Sequence, residues 1–269
     1  MTWRTIARQD GVLTAGTRSS KVLLGLPILA ILLAAYIYPI AGTDPITTAR
    51  FGGFVAGTLT TLLPFVGVLL GYGAVVTERE SGALRLSLSL PNSRRDVVLG
   101  KFLGRAGLLV GALLVALAGA GALVVYPFGE LVAERFLIFV LLTVVFTSIW
   151  CGLGLATSLV VSTRRRALVL AFTLVFLFAI VWDAVETALR LGLQSAGIID
   201  GPLPAVVQFA IGLEPGHAFQ RAVSGFVVPT GASGGPWYLS EWLALIILLL
   251  WSVGPLGLAY ASFARRDIA

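Results

Sequence analysis

Long uncharged apolar runs constrain this chain more than any other feature. Six runs lack Asp, Glu, Lys and Arg: Val22–Thr43, Phe51–Thr77, Ala106–Gly129, Phe136–Thr163, Ala167–Trp182 and Trp242–Ala264. A helix rises about 1.5 Å per residue and the hydrocarbon core of a bilayer is about 30 Å thick, so about 20 residues cross it. Five runs are long enough. The run from Ala167 holds 16 residues, but it continues as "DAVETALR", whose Asp183 and Glu186 can lie at headgroup level.

Composition agrees with a membrane protein. The chain is 58% hydrophobic and 12% charged, whereas soluble domains are about 45–50% apolar and about 25% charged. The sequence therefore predicts one all-α integral membrane domain over residues 1–269. Its six predicted transmembrane helices cover about 22–42, 53–77, 102–126, 136–162, 167–189 and 242–264.

The distribution of basic residues predicts the orientation, because cytoplasmic loops carry an excess of Lys and Arg. With both termini in the cytoplasm, fifteen of the 19 basic residues lie on the cytoplasmic side. The four on the outer side are Arg50, Arg135, Arg190 and Arg221. The net charge of +6 is then explained by topology and contact with anionic lipid. Nucleic-acid binding is not predicted.

Two segments outside the spans are predicted to lie near the membrane surface. Residues 1–20 combine Trp3 with Arg4 and Arg8, which favours an interfacial helix over a solvated terminus. Residues 190–240 form the predicted extracellular segment, in which the uncharged stretch Gly201–Leu213 is too short to cross the bilayer. We expect one or two re-entrant or interfacial helices there.

Charge is concentrated in the loop between the second and third spans, residues 78–101. Nine of the 32 charged residues of the chain lie between Glu78 and Arg105. Gly82 can end the preceding helix. The alternating leucines of "ALRLSLSLP" fit a strand, but an isolated strand leaves its backbone unpaired, which favours a short amphipathic helix ended by Pro91. Ser93 and Asp96 have the spacing of a capping box that starts the next helix.

Such a loop has leucines on one side and charges on the other, which suits docking to a protein. The alternative is that its arginines only anchor the loop to lipid headgroups.

Glycine pairs at small-xxx-small spacing, which permits close helix packing, recur along the chain. These pairs are Gly53/Gly57, Gly67/Gly71, Gly100/Gly104 and Gly107/Gly111.

The loop sequence "ERESGALRLSLSLPNSRRDVVLGKFLGR" resembles the first cytoplasmic loop of ABC-2 type transporter permeases, especially the nitrous-oxide-reductase maturation permeases. The positions that match the family pattern are Glu78, Glu80, Gly82, Leu84, Pro91, Ser93, Arg94, Gly100 and Lys101. Ala83 stands where Thr or Ser is commoner. A looser match is "LEPGHAFQRAV", in which Glu214 replaces the usual Asn of an N-P-x-x-A-F segment.

The resemblance implies a six-span permease of the prokaryotic cell membrane. Neither its substrate nor its direction of transport can be read from the sequence, and we expect export. Two permeases would assemble with two cytoplasmic ATPase subunits. This chain would bind no cofactor, because ATP and Mg²⁺ would be held by the ATPase; the chain itself lacks the phosphate-loop pattern G-x-x-x-x-G-K-[S/T]. The residues implied in the ATPase-coupling contact are Glu78, Arg79, Glu80, Gly82, Leu84, Leu88, Pro91, Arg94 and Arg95.

An ATP-independent carrier is the first alternative. Such carriers place ionisable groups near the membrane midplane, but the five long runs contain none. Asp183 and Glu186 lie near one end of the fifth predicted span, where Glu186 and Arg190 have the i,i+4 spacing of an ion pair. We interpret these residues as interfacial anchors rather than a proton relay.

An intramembrane serine protease is a weaker alternative. "GASGG" matches G-x-S-x-G around Ser233, but a nucleophile elbow requires a strand, a turn and a helix. The single histidine, His217, precedes Ser233, and we interpret it as a polar contact. With one Cys (Cys151), one His and one Met, the chain cannot build a relay of soft metal ligands. No catalytic or metal site is predicted.

Overall fold

The computed structural model describes residues 3–83, 93–126, 129–228 and 235–265, most of which are helical. The α-helices are α1 (Trp3–Gly16), α2 (Arg18–Ala41), α3 (Thr48–Gly71), α4 (Val76–Glu80), α5 (Arg94–Val125), α6 (Ala133–Val160), α7 (Arg164–Phe176), α8 (Trp182–Ser195), α9 (Ala205–Ile211), α10 (Pro215–Phe226) and α11 (Glu241–Arg265). A π-helical segment, Leu177–Val181, joins α7 to α8, and a short 3₁₀ helix, Trp237–Leu239, precedes α11.

In the part of the chain that the structure describes, six helical segments are long and apolar enough to cross a membrane, as predicted: Arg18–Ala41, Thr48–Glu80, Arg94–Val125, Ala133–Val160, Arg164–Ser195 and Glu241–Arg265. The protein is therefore a multi-pass helical membrane protein. The segment from Arg164 continues through Asp183 and Glu186, as the sequence indicated. The location of the termini relative to the membrane stays a prediction.

The centre of the bundle is the crossing of α3 and α6. A Cβ atom on Gly67 would lie 2.8 Å from Trp150 Cβ, and one on Gly71 would lie 2.7 Å from the Cys151 carbonyl oxygen. Gly154 on α6 is equally close to the Val68 backbone. These glycines let the two backbones approach closely, which is the packing expected where lipid gives helices little hydrophobic reason to associate.

A second glycine pair brings α1 against α5. A Cβ atom on Gly100 would lie 2.7 Å from Ile6 Cβ, and one on Gly104 would lie 2.7 Å from the Ala7 carbonyl oxygen. By contrast, Cβ atoms on Gly107 and Gly111 would meet no described atom within 4 Å. The small-xxx-small spacing thus marks close helix packing at Gly100 and Gly104. An interfacial position for α1 stays a prediction.

Within its described residues, the segment predicted to contain one or two helices holds α9, α10 and the short 3₁₀ helix Trp237–Leu239. The apolar side of α10 is buried in the bundle, where Phe219 is fully buried and stacks on Phe146 of α6 with ring centroids 4.6 Å apart. Ala218 and Ala222, on the same side, are also fully buried. One side of α10 is therefore covered by protein. Its depth in a bilayer stays a prediction.

Candidate coupling site

The charged loop is attached to the bundle at two points, the end of α4 and the start of α5. At the first, Gly82 adopts a φ of 75°, a left-handed conformation that glycine tolerates best, just after α4 ends. At the second, the predicted capping box is confirmed: the Asp96 amide donates to Ser93 Oγ at 3.0 Å, and the Ser93 amide donates to Asp96 Oδ2 at 3.3 Å. Three candidates, Leu84, Leu88 and Pro91, and the short helix predicted around them lie outside the described residues.

A charge network, here called the loop-end network, joins both attachment points to α1. It consists of Asp10, Glu78, Lys101 and Arg105. Lys101 Nζ donates to Glu78 Oε1 at 2.6 Å and to Asp10 Oδ1 at 3.4 Å, and Arg105 Nε donates to Asp10 Oδ2 at 3.1 Å. Lys101 is only 4% exposed. A buried ammonium group is stable only when it is paired, so Lys101 holds α1 and α4 against α5.

Two arginines of the loop bind backbone carbonyls of other helices. Arg94 Nη1 donates to the carbonyl oxygens of Phe263 at 3.0 Å and Ala264 at 3.1 Å, near the end of α11. Arg79 Nη1 donates to the Val161 carbonyl oxygen at 2.9 Å, just after α6. Both guanidinium groups also lie over the Phe263 ring, within 5.7 Å of its centroid. Since carbonyls at a helix end lack partners within the helix, these contacts satisfy them.

Glu80 connects the loop to the start of α7. Its Oε1 atom accepts a hydrogen bond from the Arg164 amide at 2.7 Å, and a carboxylate is favoured at the positive N-terminal end of a helix. The Arg164 side chain donates to the Tyr72 hydroxyl at 3.2 Å. Arg95, in contrast, is exposed at the start of α5.

The structure thus brings four of the candidate residues, Glu78, Arg79, Glu80 and Arg94, into contacts within this chain. These contacts place α4 and the start of α5 against α1, α7 and α11. Asp10 and Arg105 were not predicted to belong to this site, because nothing in the local sequence indicates that residues 95 positions apart will pair. Binding of an ATPase by the candidate residues stays a prediction.

The opposite end of the bundle holds a second charged group, here called the histidine cluster: Asp183, Glu186, Glu214 and His217. His217 Nδ1 lies 2.9 Å from Glu214 Oε2, and His217 Nε2 lies 2.8 Å from Glu186 Oε2 and 3.7 Å from Asp183 Oδ1. The expected pair between Glu186 and Arg190 is not among the ion pairs of the described residues. Glu186 binds His217 instead, because α10 is inserted beside α8.

Glu214 stands where the family usually has Asn, and it serves as the N-cap of α10. Its carboxylate, 3% exposed, accepts a hydrogen bond from the His217 amide at 2.7 Å and so caps α10, with Pro215 as the first residue of the helix. Asn is a preferred N-cap because it accepts the same bond. Glu214 performs this role and adds a negative charge beside His217.

His217 is held in its charged form. Burial alone would lower its pKa, but the hydrogen bonds and charges of Glu214 and Glu186 outweigh burial and raise the pKa from 6.5 to about 9. Both ring nitrogens then donate to carboxylates. Within the described ranges, no group of His, Cys, Asp and Glu has the arrangement of a metal site. The interpretation of His217 as a polar contact agrees with this geometry.

Comparison with known proteins identifies the class. The family model for ABC-2 family transporter proteins matches residues 14–268. The chain therefore belongs to the ABC-2 family, as the loop motif indicated, and is a transporter permease subunit by that membership.

Two relatives give a closer comparison. The chain is 29% identical over 281 residues to the ABC transporter permease protein NosY of Pseudomonas aeruginosa, covering 98% of each chain. It is 30% identical over 224 residues to the protein of the same name from Stutzerimonas stutzeri, covering 79% of each. The similarity to the Pseudomonas aeruginosa protein extends over all six candidate spans.

Proposed function

We propose that this chain is the permease subunit of an ATP-driven exporter of the bacterial cell membrane. It works as a homodimer with two copies of a separate cytoplasmic ATPase. The loop from Glu78 to Lys101 is the contact through which the ATPase moves the membrane helices. Family membership and the similarity to two bacterial ABC permeases support this proposal.

The attachment of the loop is the observation that carries the proposal. Glu78 and Lys101 join the end of the second span to the start of the third at 2.6 Å, while Arg94 binds the end of the sixth span. Glu80 binds the start of the fifth. A force on the loop therefore reaches four of the six spans through short, charge-assisted contacts, which are stronger than neutral hydrogen bonds.

This geometry suggests a division of roles among the candidates. Arg95 is exposed and free to contact a partner from the start of α5, and Leu84, Leu88 and Pro91 are proposed to complete the docking surface. Glu78, Arg79, Glu80 and Arg94 hold the loop in position. When the ATPases approach each other on binding ATP, the loop moves with them and tilts α3 and α5. Access to the route between the two permease copies then changes.

Co-purification with the phosphate-loop ATPase expected from a neighbouring gene tests this proposal. The double variant Leu84→Asp/Leu88→Asp should lose binding, because two carboxylates would be desolvated in an apolar contact. Arg95→Glu should weaken binding at least severalfold. Arg18→Glu, an exposed charge reversal on the same predicted side at the start of α2, is the matched control and should bind normally.

A positioning residue should behave differently. Glu78→Gln should leave ATPase binding intact but reduce the stimulation of ATP hydrolysis by the permease, because Lys101 loses its closest carboxylate. If the double leucine variant still binds the ATPase and still stimulates hydrolysis, the loop does not have the proposed role.

A further inference from the structure

A small polar cavity lies beside the histidine cluster, between α8, α9 and α10. Its volume is about 230 Å³, room for roughly seven waters at about 30 Å³ each. Its polar lining consists of Arg190 from α8, Gln208 from α9, and His217 and Arg221 from α10, with Glu186 at one side. Three basic side chains and one carboxylate therefore line this space.

The two arginines are available to a ligand. Arg221 is about half buried, and one of its amino groups donates to the Gln208 carbonyl oxygen at 3.1 Å. Among the described residues, neither Arg190 nor Arg221 has a carboxylate within 4 Å. Burial lowers the pKa of Arg221 from its ordinary value, and the charge of Glu186 acts in the opposite direction. A guanidinium group in a polar cavity favours a bidentate oxyanion.

Glu186 would oppose an anion if its charge were uncompensated. Its Oε2 atom, however, accepts from His217 Nε2 at 2.8 Å, and His217 also binds Glu214 on the other ring nitrogen. Glu214 and Asp183 do not line the cavity, and the Asp183 side chain is 66% exposed. The cavity lining, taken by itself, has two more positive than negative charges when His217 is protonated.

The position along the span points to phosphate. Arg190 is 26 residues after Arg164, about 39 Å along a helix, whereas the hydrocarbon core is about 30 Å thick. Arg190 and the cavity mouth therefore lie at the level of the lipid headgroups, whichever side of the membrane this is. We propose that this cavity binds a single phosphate group through Arg190 and Arg221, supplied either by a phospholipid headgroup or by a free phosphate anion.

Gly212 offers a test that leaves the net charge unchanged. The Arg221 guanidinium packs directly on Gly212, where an added Cβ atom would overlap Nη1 and lie 2.8 Å from Nη2. Gly212 itself has an ordinary right-handed helical conformation, which alanine adopts without strain. Gly212→Ala should therefore displace the guanidinium without altering the backbone.

The experiment uses the full-length protein, purified in a maltoside detergent and freed of phospholipid. Its melting temperature is measured during titration with inorganic phosphate, with sodium chloride of equal ionic strength as reference. Parallel titrations use short-chain phosphatidylglycerol below its micelle concentration. The wild-type protein should show a saturable rise in melting temperature, since a ligand that binds only the folded state stabilises it.

The variants decide whether the cavity is responsible. Arg221→Gln, Arg190→Gln and Gly212→Ala should each raise the apparent dissociation constant for phosphate roughly tenfold or more. This is the effect of losing a hydrogen bond to a charged group. Arg50→Gln removes a positive charge elsewhere on the same predicted side and should respond like the wild type. If Arg221→Gln does not fold, two other variants test the same prediction: Arg190→Gln, at an exposed position, and Gly212→Ala, which does not change the net charge.

The two ligand sources give different outcomes. A response to inorganic phosphate assigns the cavity to a free anion, and a response to the short-chain lipid alone assigns it to a headgroup. The proposal is wrong if neither ligand stabilises the wild type beyond chloride, or if the Arg190 and Gly212 variants respond as the wild type does.

Discussion

The loop-end network and the histidine cluster are both partly buried groups of opposite charges, but they are built from different cations. The loop-end network uses Lys101 and Arg105 as its cations. The histidine cluster depends on one imidazole between three carboxylates. The second arrangement loses its only cation when His217 is deprotonated, whereas the first contains no imidazole.

The two charged groups also hold different parts of the protein together. The loop-end network fixes the two attachment points of the proposed coupling loop. The histidine cluster fixes α10 against α8, and it borders a cavity. We therefore expect the two ends of the bundle to respond differently to mutation and to pH.

The largest effect is expected from Lys101→Met. This change leaves Asp10 and Glu78 without their shared cation, and breaking a buried ion pair typically costs about 3–5 kcal/mol of folding free energy. We expect about 3–4 kcal/mol, because the Glu78 side chain is 34% exposed and can be partly hydrated. Thermal unfolding in detergent measures the loss. Lys101→Arg, which retains the charge, should be considerably milder, and equal melting temperatures for Lys101→Met and the wild type would contradict the role of the network.

The next effect concerns pH. Because the pKa of His217 is raised from 6.5 in the unfolded chain to about 9 in the fold, protonation stabilises the folded state. The contribution is fully present below about pH 6.5 and disappears as the pH rises through 9. We expect the wild-type protein to lose about 2–3 kcal/mol between these values.

Comparison of variants assigns this pH dependence to one residue. The His217→Gln variant should have a lower melting temperature than the wild type at pH 6.5. Its melting temperature should also change less than that of the wild type between pH 6.5 and 9. The melting temperature of Lys101→Met should be lower than that of the wild type at every pH, but it should change with pH by the same amount as that of the wild type. A pH profile of His217→Gln that is parallel to the wild type would show that another group titrates.

A smaller effect is expected from Glu214→Asn, which installs the residue usual in the family. Asn keeps the cap of α10, so only the charged contact with His217 is lost, at about 1–2 kcal/mol. Glu214→Ala removes both cap and contact and should cost about 1 kcal/mol more. Thermal unfolding at pH 6.5 compares the two. If they are equally stable, capping by Glu214 contributes nothing.

The smallest effect is expected at the exposed capping box of α5. Ser93→Ala removes the hydroxyl that accepts from the Asp96 amide and should cost about 1 kcal/mol. Ser93→Thr keeps the hydroxyl and serves as the control. A loss as large as that of Lys101→Met would mean that the start of α5, rather than the loop-end network, determines the stability of this end of the bundle.

Local features of the fold could be predicted from the sequence. The six spans follow from length and hydropathy, the start of α5 from Ser93 and Asp96, and the end of α4 from Gly82. Each of these depends on residues within a few positions of one another. The close approach at Gly100 and Gly104 was indicated by spacing, although the same spacing at Gly107 and Gly111 has no described neighbour.

The candidate site was predicted only in part. The charged loop was identified by its composition and motif, but the contacts of Glu78 with Lys101 and of Arg94 with α11 were not predicted. Binding of these residues to an ATPase stays a prediction. Glu186 was expected to pair with Arg190 on its own helix and binds His217, 31 residues away. Sequence spacing describes neighbours on one helix, whereas these partners are chosen by which helices pack together.

The sequence by itself determined that the chain forms six membrane-crossing helices and concentrates its charge in one loop, because apolar runs of about 20 residues are long enough to cross a bilayer as helices. Only the tertiary structure decided which charges meet. In a medium of low dielectric constant, an isolated charge is too costly to bury, so each partly buried cation is paired with whatever acceptor the packing of distant helices brings within reach.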